Sequence, residues 1–528
     1  MKQLLPIPLI SIGHNGLNKA EASHTDLGPS WAIELQNAVF DDSGRLAARK
    51  GWVKQNSSAI SGTPNVVAMT ENITAAGVVA ILSAANNKLY EGVSAPTDRT
   101  GALTITGNNW QFAQFLDVTF GFQQSHTPFK WTPGGNAAVM TAASGSLPTG
   151  NCVCAAFGRL WAADADGYTI KYCGLLDDTN WGAAGSGSIN MRGIWTKGTD
   201  TVQGIYAFGA ALAVFGKRHI IIFRDGAPGT NANLGMNPST MIVSDTVEGT
   251  GLLGRDTVQT IGEGDLWYLS PTGVQSLARI IVNKNNPVES IDPQTREYVY
   301  GYSSAENLSA MRSLYSSVDR FYLLILPASQ KCFTYDTRRF NEDNSARVTE
   351  WNHINPFCGV TRVDKTVLMG FGGGFIGLYS AYQDNAVAYR WLYNSPNLSI
   401  GPDYENKRKI LKRITSIIFT SLPNNVIFQW GFDFGGLTMN NVLTIAGGFT
   451  PEYNTSEYGA NGKYSINDPS AVAGVDVSYY SGGLALNVLT AARSGAGRWL
   501  QLGVQIDING ASFALQELDA YCKIGNFE

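Results

Sequence analysis

A short hydrophobic run, a tight polar or glycine turn and a second hydrophobic run recur seven times along the chain, about every 40–55 residues. The clearest copies place residues 160–163 before the turn at residues 164–167, and residues 266–269 before the turn at residues 270–273. The other five copies begin near Ala80, Thr119, Leu212, Phe321 and Val367. A four-stranded sheet repeated at roughly 40–50 residues is the unit of a β-propeller. The sequence therefore predicts an all-β fold with six or seven propeller blades.

The size and composition of the chain fit this architecture. Seven linked blades would use roughly 350 of the 528 residues. The chain has 58 glycines and only 15% charged residues, which indicates many turns and a neutral surface of the kind that partners cover. A formal net charge of −4 argues against a strongly basic protein that holds duplex DNA by neutralising its phosphates.

The chain start and the hydropathy pattern bear on location. Residues 1–8 are too short and too interrupted by proline to form the apolar core of a signal peptide, and no run of about 18 apolar residues occurs. We therefore expect no membrane segment and synthesis in a cytoplasm-like compartment.

Composition shifts divide the chain into four parts. Residues 1–45 form an N-terminal arm that packs on the last domain or closes the propeller, and residues 46–395 form the propeller. Residues 396–406 are a polar, proline-bearing linker. Residues 407–528 lack the blade spacing and contain longer strands, which predicts a jelly-roll-like β-sandwich platform with a long exposed loop at residues 450–470.

Several motifs that could carry chemistry have better structural explanations. Gly372–Gly377 matches the letters of a dinucleotide-binding loop, but a hairpin continues where the required helix should begin. Residues 164–167 resemble the start of a calcium loop, but Leu175 occupies the position that needs a carboxylate. The six cysteines are scattered and favour buried free thiols, and the five histidines form no metal motif. We therefore predict no catalytic residues, no cofactor, no metal and no enzymatic activity.

One basic cluster stands out at the start of the last domain. It comprises Lys407, Arg408, Lys409, Lys412 and Arg413. In a strand, Lys407, Lys409 and then Arg413 can share one face. A solvated edge that discourages sheet aggregation explains the cluster, and docking to an acidic partner or facing DNA is the functional alternative.

An ordered series of short motifs resembles a known family. Asn37 is followed by a turn and then by residues 44–52, GRLAARKGW, and later matches follow in order. These later matches are residues 110–115, residues 158–161, residues 170–173, Trp181, residues 209–223, residues 254–258, residues 269–274, Tyr335, Asp336 and Trp351. Together they resemble the tail nozzle proteins of short-tailed bacteriophages, also called tail tubular protein B or packaged-DNA stabilisation proteins, over about residues 30–380.

The resemblance implies a structural subunit of the virion tail, assembled in the bacterial host cytoplasm. Members of this family form a homo-hexameric nozzle below the ring of the portal adaptor. The nozzle retains and then conducts the double-stranded genome without reading its sequence, and it docks tail fibres or spikes. The alternative is a propeller-based tail adhesin or a glycan-binding or glycan-hydrolysing protein, which would carry its site at the propeller axis.

Overall fold

The computed structural model describes residues 5–9, 12–20, 27–227, 234–262, 264–282, 290–399, 407–420, 423–445, 485–492 and 495–525. Short strands dominate the N-terminal part, and they belong to four different sheets. They are β1 (Leu5–Leu9), β2 (Gly16–Leu17), β3 (Trp31–Ala32), β4 (Glu34–Gln36), β5 (Ala38–Phe40), β6 (Leu46–Ala48) and β7 (Trp52–Lys54).

The first four blades are antiparallel sheets of four strands each. Blades one and two contain β8 (Ala68–Ile73), β9 (Val79–Ala85), β10 (Lys88–Glu91), β11 (Thr97–Asp98), β12 (Gln111–Phe115), β13 (Val118–Phe122), β14 (Phe129–Trp131) and β15 (Ala138–Val139). Blades three and four, with the short parallel pair β16 and β20, contain β16 (Ser144–Gly145), β17 (Val153–Ala156), β18 (Arg159–Ala163), β19 (Thr169–Tyr172), β20 (Asn180–Trp181), β21 (Gly187–Asn190), β22 (Gly204–Phe208), β23 (Ala211–Phe215), β24 (His219–Asp225) and β25 (Met241–Glu248). The first strand of each blade lies nearest the axis of the ring.

Blade five has three strands, and two helices follow its last strand. These elements are β26 (Gln259–Ile261), β27 (Asp265–Ser270), β28 (Gly273–Ser276), α1 (Leu277–Val282) and α2 (Arg296–Ser303). Blades six and seven contain β29 (Arg312–Ser316), β30 (Phe321–Leu326), β31 (Lys331–Phe340), β32 (Ala346–Trp351), β33 (Cys358–Thr361), β34 (Val367–Gly370) and β35 (Ile376–Tyr379). The described sheets thus give seven blades. Six of the predicted hairpins form the two middle strands of their blades, and the seventh forms the last two strands of blade five.

The ring closes through a strand from the N-terminal part. β7 pairs antiparallel with β35, with Trp52 opposite Tyr379 and Lys54 opposite Gly377. The fourth strand of blade seven therefore comes from more than 300 residues earlier in the chain, and the two ends of the propeller hold each other. β33 of this blade also contacts β8 of blade one, which completes the circle.

The C-terminal strands build a sandwich on the outside of blade six. They are β36 (Tyr389–Asn394), β37 (Lys409–Thr420), β38 (Asn424–Phe432), β39 (Met439–Ile445), β40 (Ala485–Ala492), β41 (Ala496–Gly497), β42 (Leu500–Ile508) and β43 (Phe513–Ile524). One sheet runs in the order β29-β30-β31-β32-β4-β36-β42-β38-β39, so blade six and the sandwich share a continuous nine-stranded sheet. The facing sheet runs β40-β37-β43-β6-β5, with β1 also paired to β43 and β41 to β37.

The strand pairing shows where the predicted parts meet. β1, β5 and β6 join the sheet of the sandwich, whereas β7 joins the propeller, so the N-terminal part serves both. Residues 46–48 and 389–394, which the sequence assigned to the propeller, pair with sandwich strands. The predicted loop at residues 450–470 and most of the predicted linker at residues 396–406 lie outside the described residues.

The blades pack through residues that alternate along their strands. In β18, Trp161 and Ala163 face the hydrophobic core towards blade four, while Leu160 and Ala162 face the core towards blade two. This alternation is what a period of two residues gives in a strand that is buried on both faces. The sandwich has its own core, which includes Trp391, Phe428 and Leu502.

The structure confirms the turn predictions. Asp164 and Thr169 close the turn of blade three through a backbone bond of 2.8 Å, and Asp166 accepts the N–H groups of Tyr168 and Thr169. Gly372–Gly374 forms a single 3-10 turn that leads directly into β35. All six cysteines are free thiols, and burial raises the pKa of Cys152 to about 12. The longer of the two described α-helices, α2, has only about two turns.

Candidate functional site

A network of charged side chains crosses the propeller axis at one mouth of the ring. Arg255 lies in the loop before β26 of blade five, yet its Nη1 donates to the carbonyl of Asn151 at 2.7 Å, at the start of blade three. Its Nη2 also donates to Oδ1 of Asn109 at 3.1 Å, at the start of blade two. Arg312, the first residue of blade six, donates to the same Asn109 oxygen. We call Asn109, Arg255, Asp256 and Arg312 the axial network.

One carboxylate joins the two guanidinium groups of the axial network. Asp256 accepts from Arg255 Nη2 at 2.7 Å, and Arg312 Nη1 lies 3.0 Å from the same carboxylate. Burial would raise the pKa of Asp256, but the charges of Arg255 and Arg312 outweigh it and leave the pKa below its usual value. Burial likewise opposes the charge of Arg255, and Asp256 reverses that effect and raises its pKa. The network is therefore ionised and largely satisfied by protein partners.

This arrangement bears on the enzymatic alternative. Hydrolysis of a glycosidic bond ordinarily uses two carboxyl groups, one as acid and one as base or nucleophile. Among the described residues, the axial network contains a single carboxylate, and two guanidinium groups bind it. In the described ranges, no group of three or more His, Cys, Asp or Glu side chains could hold a metal ion.

A second buried cluster fastens the N-terminal strands to the propeller and the sandwich. The guanidinium of Arg49 is fully buried and binds Asp384 through two bonds, at 2.8 Å from Nη1 and 2.6 Å from Nη2. Its Nε donates to Oδ1 of Asn37 at 2.9 Å, and its Nη2 also donates to the carbonyl of Asn352 at 3.1 Å. The Tyr389 ring lies 4.0 Å from the Arg49 guanidinium carbon. We call these five residues the joint.

Each part of the joint comes from a different element. Asn37 lies between β4 and β5, Arg49 follows β6, Asn352 follows β32 of blade six, and Tyr389 begins β36 of the sandwich. Burial would lower the pKa of Arg49, but its hydrogen bonds and charge contact with Asp384 outweigh that effect and raise it. A planar guanidinium with five donors suits a position where several segments meet, because it can bind a carboxylate and two neighbouring segments of the chain at once.

Backbone geometry explains the choice of residue at Asn37 in the joint and at Gly51 beside it. Asn37 has a φ of 56°, a left-handed conformation that Asn tolerates better than most residues, and its N–H donates to Glu350 O at 2.8 Å. A Cβ atom at Gly51 would lie 1.9 Å from the carbonyl oxygen of Gln383. Any other residue at position 51 would force the segments around Gly51 and Gln383 apart.

The structure corrects the prediction that Lys407, Lys409 and Arg413 share a face. Lys409 is fully buried, and its Nζ donates to the carbonyl of Arg498. A register shift between Leu411 and Arg413 interrupts the pairing of β37 with β43, so the side-chain alternation changes at this point. Arg408, Lys412 and Arg413 are exposed, and Arg413 stacks on Tyr521 with 3.9 Å between its guanidinium carbon and the ring centre.

Sequence reasoning did not identify the axial network or the joint as sites. Residues 254–258 and Asn37 with residues 44–52 were used only as marks of family resemblance. Asp384, Tyr389, Asn109 and Arg312 carried no sequence pattern that would join them to these motifs, because the contacts span up to 340 residues. The indication that the sequence offers for the joint is an arginine two positions before a glycine, at residues 49–51.

The fold and these clusters define the class of protein: an all-β, seven-bladed propeller joined through a continuous sheet to a β-sandwich. No protein-family profile and no curated protein matches the sequence. In the part of the chain that the structure describes, no helix is long and apolar enough to cross a membrane.

Solved propeller structures are distantly similar to this chain. "YCF48 bound to D1 peptide" has 10% identity over 63% of this chain and 97% of that chain, with a TM-score of 0.36. Virginiamycin B lyase from Staphylococcus aureus has 11% identity over 62% of this chain and 99% of that chain, with a TM-score of 0.38. The WD40 propeller domain of Doa1 has 8% identity over 62% of this chain and 96% of that chain, with a TM-score of 0.37. Similarity this distant gives no information on what this chain binds or catalyses.

Proposed function

We propose that this protein is a non-enzymatic structural subunit of a short-tailed bacteriophage tail, a nozzle protein that forms a hexameric ring below the portal adaptor. The ring retains the packaged genome, conducts it during ejection and docks tail fibres or spikes. It is assembled in the host cytoplasm and acts in the virion. The observation that carries the proposal is that Asn37 and Arg49, two motif residues of the family resemblance, belong to the joint, and that Gly51 of the same motif allows the close approach to Gln383 beside it.

The joint supports a mechanical role. Arg49 binds groups from blade six, from the segment after blade seven and from the N-terminal strands, and Tyr389 adds the sandwich. The shared nine-stranded sheet adds a continuous ladder of backbone hydrogen bonds between the two parts. A subunit built in this way transmits load between propeller and sandwich without a flexible hinge at the shared sheet.

The axial network indicates where DNA would pass. Side chains from blades five and six reach Asn109 of blade two across the axis, so this mouth of the propeller is crossed by protein. In the proposed nozzle, DNA therefore passes between subunits, through the centre of the hexamer. That lumen must be wider than about 20 Å to admit a duplex.

The exposed part of the basic cluster is the proposed contact with the adaptor. Lys412 and Arg413 lie on the solvent side of β37 in the sandwich, whereas the buried Lys409 takes no part.

Heterologous contacts between six copies close into a ring when each copy is rotated by about 60°.

The test is the mass and symmetry of the full chain, alone and with its candidate adaptor, by native mass spectrometry and electron microscopy. We expect six-fold rings with an open lumen, at least on the adaptor. The charge reversal Lys412→Glu with Arg413→Glu should weaken adaptor binding at least tenfold, whereas Lys365→Glu on the exposed tip of blade seven should not. A chain that stays monomeric or trimeric with the adaptor and binds glycans would overturn the proposal in favour of the adhesin.

A further inference from the structure

A lysine, an asparagine and a glutamate meet on the outer strand pair of blade six. Lys331 begins β31, and Asn352 follows the end of β32. Cys332 pairs with Trp351, so Lys331 and Asn352 lie opposite each other one position beyond. Lys331 Nζ donates to Oδ1 of Asn352 at 3.0 Å and also binds Oε1 of Glu350. The amine and the side-chain amide are therefore already in contact.

Aromatic side chains surround the carboxyl group of this triad. The Glu350 side chain is only 5% exposed, the Lys331 side chain is 22% exposed, and the second oxygen of Glu350 accepts from the Tyr298 hydroxyl at 2.8 Å. The Lys331 ammonium lies 5.6 Å from the centre of the Tyr302 ring. Tyr298 and Tyr302 pack edge to face with 5.2 Å between ring centres. These contacts hold the buried Glu350 carboxyl group against the lysine.

We propose that Lys331 and Asn352 form an intramolecular isopeptide bond, with Glu350 as the catalytic acid and base. Glu350 takes a proton from the Lys331 ammonium along their hydrogen bond. The neutral amine attacks Cγ of Asn352, and a C–N bond forms as the carbonyl electrons move to Oδ1. Glu350 then donates that proton to Nδ2, which leaves as ammonia when the carbonyl re-forms and the Cγ–Nδ2 bond breaks. The new amide nitrogen releases its second proton to water.

The reaction balances without an external reactant. One C–N bond forms, one C–N bond breaks, and one ammonia is released, which takes up a proton in water as ammonium. Glu350 is regenerated in the course of the reaction. Positioned groups of this kind gain their rate from proximity, because the reacting atoms are held near contact distance.

The crosslink would reinforce the place where the joint meets blade six. The N–H of Asn352 donates to Asn37 Oδ1 at 2.9 Å, and its carbonyl accepts from Arg49. A bond from Lys331 to Asn352 would therefore lock the outer strand pair of blade six beside the joint. This inference concerns the folded chain itself and does not depend on the proposed function.

The direct test is the intact mass of the purified full chain under denaturing conditions. We expect a mass lower than that of the sequence by about 17 Da, the mass of one ammonia. Digestion at lysine and arginine should give a branched peptide that joins Lys331 to Asn352, with no cleavage after Lys331. A full-length mass with unlinked peptides, or a mass deficit mapped to other residues, would overturn the proposal.

Variants separate the chemistry from the fold. Lys331→Arg and Glu350→Gln should both restore the full mass, and circular dichroism should show that they remain folded. Lys88→Arg is the matched control, because Lys88 pairs with Asp98 in blade one and its replacement should leave the mass deficit unchanged. If Glu350→Gln remains crosslinked, the carboxyl group has no part in the reaction.

Discussion

The joint and the axial network both bury arginine, but they balance its charge differently. In the joint, one guanidinium faces one carboxylate, and Asn37, Asn352 and the Tyr389 ring occupy its remaining surfaces. In the axial network, two guanidinium groups share Asp256, and neutral oxygens satisfy the excess donors. Removal of Arg49 should therefore leave the buried anion of Asp384 in the joint. Removal of Asp256 should leave two close cations in the axial network.

The largest effect should come from the arginine of the joint. Arg49→Met leaves Asp384 buried without its partner and should lower the free energy of unfolding by about 3–5 kcal/mol, measured by chemical denaturation. The double variant Arg49→Met with Asp384→Leu removes both charges and should recover much of that loss. If the double variant is as unstable as the single one, the charge pair is not what makes Arg49 important.

The axial network should respond somewhat less. Asp256→Asn leaves Arg255 and Arg312 facing each other, but Asp256 is partly exposed, so water offsets part of the repulsion. We expect a loss of about 2–3 kcal/mol in the free energy of unfolding, near the lower end of the range for broken buried pairs. Added salt should reduce the loss in this variant more than in Arg49→Met. An equal response to salt would contradict the difference in solvent access.

Asp292 tests a buried carboxyl group that has no arginine partner among the residues that the structure describes. Burial in front of α2 raises its pKa from 3.8 to about 6, although the Tyr335 hydroxyl donates to it at 3.0 Å. The folded chain therefore binds this proton more tightly than the unfolded chain, and the resulting stability, present below about pH 4, is lost as the pH rises towards 6. The loss should be about 3 kcal/mol.

Asp292→Asn should remove this pH dependence. The measurement is the difference in free energy of unfolding between the two chains at several pH values from 4 to 8, which cancels the titration of other groups. A difference that stays constant across this range would show that Asp292 titrates normally in the folded chain.

The smallest effect should come from the exposed basic cluster. Lys412→Ala lies on the solvent side of β37 and should change the free energy of unfolding by no more than about 0.5 kcal/mol. Lys409→Ala, three positions earlier, should cost more, because it leaves a cavity and the Arg498 carbonyl without its donor. Equal effects at the two positions would contradict the division of the cluster by burial.

Different parts of the fold were predictable to different degrees. The hairpins at residues 160–172 and 266–274 follow from alternation and turn chemistry, which act between close neighbours in the chain, and the structure confirms both. No local sequence pattern predicts that β7 pairs with β35. The three residues of β7 could form backbone hydrogen bonds with the edge strand of any sheet. The shared face of Lys409 and Arg413 was predicted wrongly, because a bulge between Leu411 and Arg413 changes the alternation on which the prediction depended.

The candidate sites were less predictable than the blades. Arg255 and Asp256 are adjacent in sequence, but their partners Asn109 and Arg312 come from other blades, so only ring closure brings them together. Arg49 and Asp384 are 335 positions apart. The order of the motifs drew attention to residues 37–51. The structure shows that Arg49 donates to Asn37 there and that the backbone at Gly51 approaches Gln383 closely.

The sequence by itself determined the all-β class and the seven hairpins, because strand period and turn residues act over a few positions. Tertiary structure alone decided which strand closes the ring, that blade six continues into the sandwich, and which charges are buried together. The physical reason is that backbone pairing and ion pairing have no sequence code of their own at long range. Their partners are chosen by the packing of whole sheets, which brings distant residues within a few ångströms.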